Sequence, residues 1–160
     1  MATVAIISQK GGAGKTTLAL HLAAAAQDAG RVALIVDTDP QATASQWASW
    51  REDSPPPRLA AKIEQAQEQG AQFIVIDTPP HADSAARAAV ETADLVLIPC
   101  RPSAFDLAAI QTTVKLVQLL RKPAFVVFTA GSPNAPRMYE EADELVESFG
   151  ISACPVQLPD

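Results

Sequence analysis

The chain has 160 residues, with 12 Lys+Arg against 18 Asp+Glu and a formal net charge of −6. That length suits a single domain able to bury its own core, and the two cysteines, Cys100 and Cys154, are too few and too far apart for a disulfide framework or a zinc knuckle. The acidic balance argues against a dedicated nucleic-acid-binding domain, no apolar stretch is long enough to span a bilayer, and Met1-Ala2-Thr3 lacks the basic start of a signal peptide, so a reducing cytoplasm is the expected setting.

In chain order, Val4 to Ile7 is the first of five short apolar runs; the others are Val32 to Val36, Phe73 to Ile76, Leu95 to Ile98 and Phe125 to Phe128. Each is continuous rather than alternating, the pattern of a strand covered on both faces, so a parallel sheet is predicted. Helical spacing follows the first run in Leu18, Leu22, Ala25, Ala26 and Ala29, with Gly30 as the expected C-terminal cap. Asp53-Ser54-Pro55-Pro56-Pro57 reads as a surface loop joining two helical patterns. Later helices are predicted through Leu107, Ile110, Val114, Val117 and Leu120 before Pro123, and through Met138, Ala142, Leu145, Val146 and Phe149 before Gly150. Ile151 to Leu158 reads as the entry to one more strand. Strands alternating with helices predict an α/β fold, a mostly parallel central sheet with helices on both faces.

The first strand runs into Gln9-Lys10-Gly11-Gly12-Ala13-Gly14-Lys15-Thr16-Thr17, and the first helix begins there. A phosphate cradle needs that placement. Glycines let backbone N–H groups converge on an anion, and the helix N-terminus adds partial positive charge. Lys15 is placed to reach β- and γ-phosphates, and the Thr16 hydroxyl to ligate Mg²⁺. The strict GxxxxGK[ST] pattern fails, because Gln9 stands at its first glycine and a second lysine, Lys10, precedes the paired glycines. Two acidic segments close later strands, Asp37-Thr38-Asp39-Pro40-Gln41 and Asp77-Thr78-Pro79-Pro80. In open parallel sheets ligands sit beyond the carboxyl ends of the strands, so Asp37, Asp39 and Asp77 are expected to converge on a metal and a γ-phosphate near Lys15.

These motifs resemble those of the ParA/MinD family of deviant Walker A P-loop ATPases, and most closely its small ParA-type partition and positioning members. Lys10 to Thr17 matches the family's KGGxGKTT, Asp37 to Gln41 its DxDPQ, Asp77 to Pro80 its Walker B segment, and Pro99-Cys100-Arg101-Pro102-Ser103 with Asp106-Leu107 its PxxPSxxDL stretch. The resemblance implies an ATPase that binds ATP and Mg²⁺ and forms a sandwich homodimer on ATP binding, with slow, partner-stimulated hydrolysis. Lys10 would reach the partner's phosphates while Lys15 serves its own. Gly11, Gly12, Ala13, Gly14, Thr16 and Thr17 would bind nucleotide, Thr16, Asp37 and Asp77 would surround the metal, and Asp39 would support hydrolysis. Asp39, Pro40 and Gln41 would form one switch and Thr78, Pro79 and Pro80, continuing to His81, the other. It also implies a ParB-like or other cargo-adaptor partner, nonspecific DNA binding only as the ATP dimer, no membrane, and a cytoplasmic, nucleoid-associated location. The cargo would be a plasmid, a chromosome locus or a protein cluster.

The match has departures. Thr129-Ala130-Gly131 stands where members often carry an Asn-Arg pair near the adenine, so adenine is implied by the resemblance alone. The family usually continues beyond a position equivalent to 160, and the chain is read as one P-loop domain, 1–160, lacking those last elements. The rival readings are a nucleotide-binding scaffold without turnover and a metabolic P-loop enzyme of the same fold. Cys100 and Cys154 lack the spacing of iron–sulfur ligands, and the basic amphipathic tail of a membrane-cycling relative is not seen. Among single residues, His21 is expected on a mostly apolar helix surface, Trp47 and Trp50 as one helical stripe, Cys100 as a buried thiol, and Glu140, Glu141, Asp143, Glu144 and Glu147 as a solvated helix face.

Overall fold

The computed structural model describes residues 1–38, 58–80 and 83–159. The elements are β1 (Ala2–Ile6), α1 (Lys15–Asp28), β2 (Ala33–Asp37), β3 (Arg58–Ala60), α2 (Ile63–Glu68), β4 (Phe73–Asp77), α3 (Asp83–Thr92), β5 (Leu95–Cys100), α4 (Ala104–Leu119), β6 (Ala124–Gly131), α5 (Pro136–Ser148), β7 (Ser152–Ala153) and β8 (Leu158–Pro159). The strands lie in the order β3-β2-β4-β1-β5-β6-β7, with β8 also paired to β6, and every pairing is parallel.

Burial explains the unbroken apolar runs. In β1, Val4 and Ile6 join a cluster built on α1 through Leu18, Ala19 and Ala23, whereas Ala5 and, just past the strand, Ile7 join a larger cluster on the opposite face with Leu107, Ile110, Val114 and Val146. Both sides of the strand therefore exclude water, and each must be apolar. Among the described residues α1 covers one face of the sheet, while α2, α3, α4 and α5 contribute to the core of the other.

The five strands read from the sequence are the five long strands of the sheet. The Pro-rich loop lies outside the described residues, but the element that follows it is the edge strand β3, not a helix. The strand expected over Ile151 to Leu158 is two short pieces, β7 on Phe125 and Val126 and β8 on Thr129 and Gly131, with Pro155 between them. Pro99 is tolerated inside β5 because β1 pairs with β5 only over Leu95 to Leu97 and has turned into the next loop by then. His21 is solvent-exposed on α1, which corrects its expected place on an apolar surface. The acidic side chains of α5 are all exposed, as expected, and Trp47 and Trp50 lie outside the described residues.

Candidate phosphate site at the carboxyl edge of the sheet

In an all-parallel sheet every strand points its carboxyl end the same way. Register makes this concrete: Ile6 pairs with Asp77, and Asp37 pairs with Asp77, so β1, β4 and β2 end side by side. The two acidic residues are thus neighbours across the ladder, at the edge where β1 hands the chain to the loop Ile7–Gly14. Threonines lace this edge together. Thr38 donates from both its amide and its hydroxyl to the Asp77 carbonyl, at 3.0 and 2.7 Å, and the buried Thr78 hydroxyl donates to the Ile6 carbonyl at 2.8 Å.

The loop conformation depends on glycine where the chain turns left-handed, at Gly12 with φ 72° and Gly14 with φ 89°. Gly14 is the N-cap of α1 and supplies no side-chain cap, so the first-turn amides of the helix face the loop. A Cβ on Gly11 or Gly12 would meet nothing within 4 Å, which leaves space for a ligand to approach the backbone. Lys15, the first residue of α1, is 7% exposed, and its ammonium donates to the Lys10 carbonyl at 3.3 Å across the mouth of the loop. The sequence predicted this cluster, and the fold assembles Gly11 to Thr17, Asp37, Asp77, Thr78, Pro79 and Pro80 at one edge. Asp39, Pro40, Gln41 and His81 lie outside the described residues.

Two supports of the loop were not read from the sequence. Thr129, at the end of β6, is buried and donates its hydroxyl to the Ala13 carbonyl at 3.0 Å. A cleft of about 280 Å³ opens there between Gly12, Gly14, Thr17, Thr129, Ala130 and Leu158, beside the phosphate loop. Lys10 does not point into the loop. Its ammonium donates to Asp106 Oδ1 in the first turn of α4, and Arg101 donates to the Gly12 carbonyl at 3.4 Å. Burial acts to raise the Asp106 carboxyl, but hydrogen bonds from Lys10 and Ser103 and the charges of Lys10 and Arg101 outweigh it and hold the group below the usual carboxylate range.

The donor set fits a magnesium nucleotide. Among the described residues no three His, Cys, Asp or Glu side chains gather to hold a metal by themselves. Magnesium needs no such cage, because it keeps several waters and is shared between one or two protein oxygens and phosphate.

The sequence profile of the CobQ/CobB/MinD/ParA nucleotide binding domain matches residues 4–157. The chain belongs to that family. Among members of the CobQ/CobB/MinD/ParA family, it is 38% identical over 160 residues to the maintenance of carboxysome distribution protein A of Gloeobacter kilaueensis, covering 94% of this chain and 73% of that one. It is 32% identical over 148 residues to protein ParA of Rhizobium radiobacter, covering 83% and 66%. In fold it is similar to a Cyanothece McdA solved as an ATP complex, with a TM-score of 0.69 at 19% identity over 92% of this chain and 80% of that one. Within the family its likeness is to the ParA-like positioning ATPases. No helix among the described residues is long and apolar enough to cross a membrane.

Proposed function

We propose that the chain is a Mg²⁺-dependent ATPase that pairs with a second copy on binding ATP and, through slow, adaptor-stimulated hydrolysis, times the partition or intracellular positioning of a cargo, either DNA or a protein assembly. The observation that carries this reading is the division between two lysines of one loop. Lys15 is buried at the start of α1, while Lys10 has a side chain 46% exposed at the rim, turned away from its own loop. A lysine turned outward from a phosphate site is placed to serve phosphates that another subunit brings.

In this reading the amides of Gly11 to Thr17 cradle the phosphates, Lys15 neutralises them, and Thr16, Asp37 and Asp77 hold Mg²⁺ directly or through water. The bound metal supplies charge neutralisation and alignment of the phosphates. Asp39 orders the attacking water, and Lys10 joins the transition state in trans, so pairing becomes a condition of turnover. The names of the relatives, carboxysome distribution and ParA, support a positioning role and leave the cargo class to be found by capture with ATP-locked protein.

Titration calorimetry with Mg-ATP tests the site, and phosphate release tests turnover. Lys15→Ala is expected to weaken ATP binding by tenfold or more, about 1.4 kcal/mol or above, whereas Lys10→Ala leaves monomer affinity near that of the parent and abolishes turnover. Unchanged affinity in Lys15→Ala overturns the assignment.

A further inference from the structure

Thr129 stands between two parts of the site, the cleft it shares with Thr17, Ala130 and Leu158 and the phosphate loop itself. Its methyl lies against the N-cap of α1, since a Cβ placed on Gly14 would meet Thr129 Cγ2 at 3.6 Å, and its hydroxyl donates to the Ala13 carbonyl at 3.0 Å. The strand that carries it is held from several sides. Thr129 pairs with Leu158 of β8, Phe128 before it packs edge-on against Tyr139 with ring centroids 5.9 Å apart, and Gly131 after it runs so close to the Tyr139 hydroxyl and the Pro102 ring that a side chain there would collide with both. The bond to Ala13 therefore ties a loop carbonyl to a rigid strand.

Peptide geometry carries the effect of that bond into the loop. The described peptide bonds include no cis form, so the Ala13 C=O and the Gly14 N–H, which share one peptide plane, point in opposite directions. With the carbonyl drawn to Thr129, the Gly14 amide is turned away from β6. We propose that Thr129 is a positioning residue of the phosphate loop: its hydroxyl pins the Ala13 carbonyl and thereby holds the Gly14 N–H ready for a phosphate oxygen, with no part in reading the base. The inference rests on the reading of Gly11 to Thr17 as the phosphate cradle. A carbonyl released from Thr129 could rotate its oxygen toward the anion, which replaces a donor by a repelling acceptor. The hydroxyl has one proton to give, and Ala13 takes it, so none is left to donate to a base in the cleft.

The test is calorimetry in Mg²⁺ with three ligands, ATP, GTP and inorganic tripolyphosphate, which has no base at all. Thr129→Val keeps the shape and removes the donor, and it is expected to weaken all three ligands by the same factor, roughly three- to tenfold, the worth of one hydrogen bond. Thr129→Ser keeps the donor without the methyl and is expected to restore affinity for all three to within about twofold of the parent. Thr129→Ala is a second donor-less variant should Thr129→Val fold poorly, and it is expected to behave the same way. A role in packing alone would make affinity follow the methyl, with Thr129→Ser as weak as Thr129→Ala, and that result overturns the proposal. So does a loss confined to ATP and GTP that spares tripolyphosphate, because it would make Thr129 a reader of the nucleoside. Unchanged affinity in a folded donor-less variant, while Lys15→Ala loses binding, overturns the role of Thr129 alone, whereas unchanged affinity in Lys15→Ala overturns the phosphate site on which it rests.

Discussion

Cys100 ends β5 with its thiol buried and donating to the Arg101 carbonyl at 3.2 Å. Its pKa is pushed up to about 12, first by burial and then by the Asp106 charge, with Lys10 acting the other way. The sign of the consequence follows from which state holds the proton. Above about pH 9 the unfolded chain loses the thiol proton while the folded chain keeps it, so this group subtracts stability as pH rises towards 12, at roughly 1 kcal/mol per pH unit. Cys100→Ala is expected to flatten that part of a denaturant-based stability profile. At pH 8 iodoacetamide should modify the half-buried Cys154 and spare Cys100 until the protein is unfolded; rapid labelling of Cys100 in the native state would contradict this placement. The sequence supported a buried thiol because Cys100 follows an apolar run, but Asp106 as its neighbour was visible only as a motif letter.

At the scale of elements, three helices end in the same way. Gly30 and Arg31 donate back to Gln27 and Ala26, Gly70 and Ala71 to Gln67 and Ala66, and Arg121 and Lys122 to Gln118 and Val117, the paired bonds of a Schellman turn. The left-handed residue is glycine in the first two, at φ 76°, but Arg121 in the third, at φ 52°. A side chain there is strained, so Arg121→Gly is expected to raise stability by about 1 kcal/mol, read as a higher urea midpoint with an unchanged slope. A lower midpoint would mean that the arginine makes contacts worth more than its strain. The sequence announced Gly30 and Gly150 as caps because glycine there has few other uses, whereas the stop after α4 was legible only as Pro123. The same logic separates the strands. Runs such as Phe73 to Ile76 are apolar on both faces and reveal themselves, while Arg58 to Ala60 is an edge piece of three residues with no run to detect, and Ser152-Ala153, of two, was legible only as part of a longer strand. The phosphate loop was legible because its parts are adjacent in sequence. The Lys10–Asp106 pair was not, because its partners meet only after β5 and α4 pack beside β1, and Thr129 became a support of Ala13 only when β6 joined the sheet.

For the whole molecule, charge decides how it meets polyanions. Twelve basic residues stand against 18 acidic ones, and two of the basic residues, Lys10 and Lys15, already lie at the phosphate loop with hydrogen-bond partners. Each DNA phosphate neutralised requires a cation, and affinity falls steeply with salt, so the nucleotide-free chain is expected not to bind duplex DNA appreciably at about 150 mM salt. Binding should appear only with ATP, when pairing doubles the cations on one surface, and should fade across a salt series in filter-binding titrations. Tight binding by the nucleotide-free chain at that salt would defeat the charge argument. The parallel sheet also fixes where the molecule can be handled. Because every strand runs the same way, Met1 and the turns at Gly30, Gly70 and Arg121 gather at the opposite edge from the phosphate loop, separated from it by the length of a five-residue strand, roughly 16 Å. Met1 is 67% exposed. A dye or a surface tether attached there leaves the nucleotide-facing edge open to solution, and a bead coated through this end displays every copy with its phosphate loop outward.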